Sequence, residues 1–185
     1  MSKFEEFVKK VESYCHELGG RFERVRARLG CWNVERAPDP RRLINLLKES
    51  RDIYREEGTD ISIYFITDEQ SLLQSRGNLE VGVDPYKVYL YLEKWKGEYP
   101  QAWEMDMREA VRRLNSVVDT YRSERDWSVY RDEGKNYLQL HLSQTWREWD
   151  ESDWDRLERV LEKARRIFEW KGTMEQITKR TTGID

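Results

Sequence analysis

Two tryptophan pairs set the terms on which this chain can fold. Trp95 is followed eight residues later by Trp103, and Trp146 by Trp154, so both members recur at the same offset of 51 residues. In each copy a strand-like run leads up to the first Trp, and a helical pattern has opened by the second. A fainter third copy starts at Trp32, where the residue eight further on is Pro40, a natural first helical residue. A strand-strand-helix unit used more than once predicts a layered architecture. The tryptophans are expected to be the core that defines it.

The first helix is expected over about 3–18. Ser2 and Glu5 have capping-box spacing, Phe4, Phe7, Val8, Val11, Cys15 and Leu18 form an apolar stripe, and Gly19-Gly20 stop it. One strand is expected over 22–34, with Val25, Ala27 and Leu29 alternating with Arg24, Arg26 and Arg28, and with a bulge at Gly30. Asp39-Pro40 opens a second helix that ends at Gly58. A strand over 61–66, a polar loop over 67–78 and a strand over 79–93, bent at Asp84-Pro85, come next. Then come a helix over 101–122, a hairpin of strands 126–132 and 136–142, and a helix over 153–171 capped by Ser152. The expected whole is one α+β domain over 1–172, with repeat units at 79–122 and 126–171. It has about five mostly antiparallel strands, helices on one face, and a polar tail over 173–185. By element order alone this resembles layered sheet-and-helix adaptor folds of the secretion-chaperone kind. No motif accompanies the likeness, so it implies no functional residue.

The charge pattern narrows the function classes. A net charge of −3 argues against generic wrapping of DNA, although a local basic patch stays open. Charged residues make up 37% of the chain, and 22 arginines stand against 11 lysines. That load resembles the ion-paired surfaces of thermophile proteins. Nothing near the N-terminus has the apolar run of a signal peptide, and no stretch approaches the ~20 apolar residues of a membrane span. The expectation is therefore a cytoplasmic protein, off the membrane. Two cysteines, Cys15 and Cys31, are too few for a disulfide scaffold. They are expected as buried thiols, with a bridge as the alternative on hyperthermophile precedent.

Parity along the strands gives the face that the helices would leave uncovered. Arg24, Arg26, Arg28, Tyr64, Lys87, Tyr89, Tyr91, Tyr130, Gln139 and His141 fall there. Tyr and Arg dominate protein-interface hot spots, which fits a protein partner or a homodimer. The same mixture suits single-stranded nucleic acid, where bases stack on rings at roughly 1–3 kcal/mol each and cations hold phosphates. An ordinary solvated face is the third reading, since Tyr favours strands whatever its role.

Chemistry is harder to find. His16 and His141 each lack a ligand partner at metal-site spacing, and there is no Walker-type loop, G-x-G-x-x-G or G-x-S-x-G. Glu133-Gly134-Lys135, with Asp126 or Asp132 upstream, has the Glu-x-Lys spacing of metal-dependent nucleases but sits in an expected tight turn. The expectation is a non-enzymatic binding or regulatory protein with no catalytic residue, metal or cofactor. A metal-dependent hydrolase ranks last.

Overall fold

Local signals start and stop the helices. In α1 (Lys3–Glu17) the Ser2 hydroxyl accepts the Glu5 N–H at 3.1 Å, and Gly19 takes the left-handed conformation just past the end. In α2 (Pro40–Glu57) the Asp39 carboxylate accepts the Arg42 N–H at 3.1 Å, Pro40 opens the first turn, and Gly58 closes the helix at φ 71°. The third helix, α3 (Ser152–Glu169), begins at Ser152, the residue expected to cap it, one step earlier than expected. Asp150 accepts the Ser152 N–H, and Asp153 returns a bond to the Asp150 N–H at 2.7 Å, so the cap is reciprocal. This computed structural model describes residues 2–67, 76–95, 128–133 and 137–169, with Arg112, Asn115, Ser116, Val118 and Asp119 between them. The expected helix over 101–122 lies almost wholly outside the described residues. So do Trp103, the loop over 68–75 and the tail.

Among the described residues the strands form one mixed sheet of seven, in an α+β arrangement. They are β1 (Arg21–Val25), β2 (Arg28–Val34), β3 (Ile61–Thr67), β4 (Arg76–Val83), β5 (Lys87–Trp95), β6 (Ser128–Glu133) and β7 (Tyr137–Thr145), in spatial order β1-β2-β3-β4-β5-β7-β6. Only β2 and β3 run parallel, joined by α2 as the crossover such a pair needs. Seven strands replace the expected five because two runs read as single strands are hairpins. At Arg26-Ala27 the chain doubles back with Arg26 at φ 57°, without the glycine or asparagine that advertises such a turn. At 84–86 the Asp84 carboxylate accepts the N–H groups of Tyr86 (2.8 Å) and Lys87 (2.9 Å), and that Asx turn folds β5 onto β4. Residues 76–78, expected in a loop, begin β4.

The covered face is aliphatic. Leu29, Ile63, Val81, Leu90 and Leu142 lie side by side across five strands, each essentially without solvent contact, and Val129 extends the row. Each such side chain contributes roughly 1.5–3 kcal/mol on burial. Trp146, Trp149 and Trp154 close one corner, with the Trp149 and Trp154 rings 4.6 Å apart and the Trp146 indole N–H on the Asp84 carbonyl at 2.8 Å. The eight-residue spacing thus spans a strand end, a short 3-10 turn and a first helical turn.

Cys15 and Cys31 are not free thiols. They form a disulfide that ties α1 to β2, both sulfurs fully buried. Gly20 carries the chain past it, and a Cβ there would collide with the Cys31 sulfur. The bulge expected at Gly30 falls further on, where the register slips between Cys31 and Val34 and Asn33 takes φ 59°.

Candidate functional site

No described helix covers the other face of the sheet, and strand register sets what stands on it. One row across β2 to β6 reads Gly30, Tyr64, Glu80, Tyr91, His141 and Tyr130. Its neighbour toward the 84–86 turn reads Arg28, Ser62, Gly82, Tyr89, Ser143 and Ser128. On the far side Asn78, Glu93, Gln139 and Asp132 align.

Two glycines explain how the tyrosines sit. Tyr64 lies across Gly30 and Tyr89 across Gly82, and a Cβ on either glycine would overlap the ring. Tyr64 is consequently 8% exposed although no described helix covers it. The Arg28 guanidinium stacks over that ring at 4.9 Å and bonds Glu80 at 2.9 Å. The Tyr89 hydroxyl bonds Glu80 and Ser62, while burial and then the Glu80 charge push its ionisation well above the ordinary tyrosine range. Tyr91 donates to Glu93, which also accepts the Gln139 amide at 2.6 Å. His141 stands edge-on to Tyr89 (6.2 Å) and Tyr91 (6.0 Å). Burial and then the Lys87 charge lower its pKa, with Glu80 opposing them. Tyr130, on edge strand β6, is 60% exposed.

Arg28, Tyr64, Lys87, Tyr89, Tyr91, Tyr130, Gln139 and His141 therefore share the face. Arg24 and Arg26 do not. The turn at Arg26-Ala27 breaks the alternation, so Val25 pairs with Arg28 and Arg24 with Leu29. Val25, expected inward, is 59% exposed, and Arg24 points to the helix layer. There it bonds the Glu5 carboxylate twice, at 3.0 and 3.1 Å, and lies over the Phe4 ring at 5.0 Å. Arg26 occupies the turn itself.

Three acids of the face, Glu80, Glu93 and Asp132, are missing from the face read from the sequence. Glu93 shares the parity of Tyr89 and Tyr91, so its signal was present. Glu80 could be placed only with the turn at 84–86 known. With these counted, Arg28 and Lys87 stand at one end of the strands, Glu93 and Asp132 at the other, and Glu80 lies between them, bonded to Arg28.

Among the described residues no group of three or more His, Cys, Asp and Glu side chains could hold a metal, and no helix is long and apolar enough to cross a membrane. Asp126 and Lys135 lie outside the described residues. No protein-family model, curated protein or solved structure matches the chain.

Proposed function

We propose that this chain is a non-enzymatic binding protein that works through the open sheet face, with a protein as its partner and a second copy as the first candidate. The observation that carries the reading is the order of that face. Its rings are held by glycine seats and carboxylates, and Lys87 stands at the opposite end of the strands from Glu93 and Asp132. Rigid aromatics lose little entropy on binding. A two-fold axis lying in the interface across the strands would set the Lys87 end of one copy against the Glu93 end of the other. The row of rings also favours single-stranded nucleic acid. Against that reading, one guanidinium of the expected three stands on the face, it is already paired with Glu80, and Glu93 and Asp132 share the face. A cytoplasmic setting fits the buried disulfide in a hyperthermophile, where intracellular bridges persist.

Light scattering on a size-exclusion column, with and without a mixed single-stranded oligonucleotide at two salt concentrations, tests this. We expect a dimer indifferent to the oligonucleotide. Tyr130→Ala with Lys87→Glu should return it to monomer while leaving it folded. A monomer that shifts with oligonucleotide only at low salt overturns the protein reading in favour of nucleic acid.

A further inference from the structure

A second feature lies in the helix layer. Where the end of α1 meets the start of α2, a cleft of about 480 Å³ is walled by Arg36, Arg41, Arg42 and Arg165. Its floor is apolar, made by the buried Tyr14, Leu18 and Ala37. Two carboxylates, Glu17 and Asp39, also line it, so cations exceed anions by two.

Glu17 is spent on posing an arginine and Asp39 on capping α2. Glu17 holds the Arg42 side chain at 2.8 Å, with that guanidinium stacked 3.9 Å from the centre of the Tyr14 ring. Asp39 takes the Arg42 backbone N–H, and its own N–H is bound by the Tyr14 hydroxyl at 2.6 Å. That bond pins the β2–α2 connection to α1, so the cleft exists before anything enters it. Arg36 is anchored through the Glu17 carbonyl at 2.7 Å. Arg41 meets its ion-pair partner, Glu158, only at 3.8 Å, beyond hydrogen-bond reach, and its side chain is 82% exposed.

We propose that this cleft binds a small organic phosphate. Arg165 pairs with Glu162 at 3.7 Å, so it is the excess of cations in the lining that favours an anion, and guanidinium forks match phosphate oxygens in pairs. The volume lies within the range of small-molecule sites, roughly 300–1,000 Å³. Arg42 already occupies the Tyr14 ring, which leaves no platform there for a base. Recognition therefore follows the phosphates rather than the nucleoside.

Isothermal titration of the whole chain with pyrophosphate, ATP, AMP and adenosine tests this. Pyrophosphate and ATP should bind within a few-fold of each other, AMP more weakly, and adenosine not at all. Arg36→Ala with Arg41→Ala should weaken pyrophosphate at least tenfold at unchanged melting temperature. Glu17→Gln, which removes a negative charge from the wall, should tighten it. No heat with pyrophosphate or ATP at millimolar concentration overturns the proposal. So does an affinity that the double variant leaves unmoved, or one that tracks the base.

Discussion

On the covered face, Leu29, Ile63, Val81, Leu90 and Leu142 meet in a row that asks only to be kept from water. One residue along each of those strands, on the open face, stand Gly30, which seats the Tyr64 ring, and Tyr64, Glu80, Tyr91 and His141, each oriented by a particular partner. Apolar burial has no direction, so the first row supplies stability and tolerates exchange of shape. Phenol–carboxylate and ring–guanidinium contacts are directional, so the second row supplies geometry at small net energy. Stability and ordered polar geometry are thus carried by opposite sides of the same strands.

The difference is broken most directly by Leu142→Ala. Its side chain is fully buried in the middle of the aliphatic row, and truncation should cost about 2–5 kcal/mol. Urea unfolding reads this as a lower midpoint. A loss below 1 kcal/mol would show that the covered face is not the stabilising one.

Next in size is the bridge on the covered side. Replacing Cys15 and Cys31 by Ser removes a cross-link between residues 16 apart in sequence, worth about 3 kcal/mol in the chain-entropy account. For a chain of this length that is about 6–12 °C in melting temperature. Reductant added to the folded wild type should act slowly, because both sulfurs are buried. Rapid reduction without unfolding would contradict that burial.

Gly82→Ala carries the comparison to the open face. The new methyl collides with the Tyr89 ring and should cost about 1–3 kcal/mol through displacement of that ring. Gly58→Ala is the control. Nothing lies within 4 Å of its Cβ, so only the strain of its φ of 71° is felt. Near-ultraviolet dichroism of the tyrosines should change in the first variant and not in the second.

How far each face could be read from the sequence follows from the same contrast. Periodicity reports burial, so α1, α2, α3 and the covered residues of β3, β5 and β7 were legible. Turns are reported by glycine, asparagine and proline, and the turn at Arg26-Ala27 contains none of them. Reading through it reversed the face of every β1 residue and put Arg24 among the tyrosines. Asp84-Pro85 was visible as a bend, but the side-chain bonds that make it a reversal depend on backbone geometry that composition does not display. Glu80 was lost with that turn. The disulfide was illegible for a different reason: two cysteines 16 apart say nothing of distance until α1 packs on β2.

The smallest effect is also the most specific to the open face. Burial and the Lys87 charge hold the folded-state pKa of His141 below its ordinary 6.5. Above that value both states are neutral and pH has no hold on stability through this residue. Below it the unfolded chain binds the proton more readily than the folded one, so stability must fall as pH falls. Urea midpoints at pH 7.5 and 5.5 should therefore drop for wild type by more than for His141→Gln. The excess should be modest, because the ring keeps partial contact with water. Carboxylates such as Glu5, whose pKa is lowered by Arg24, titrate in both proteins and cancel in the difference. An equal drop in the two proteins would mean that His141 ionises as freely folded as unfolded. Burial and the Lys87 charge would then not bear on the ring in the folded chain.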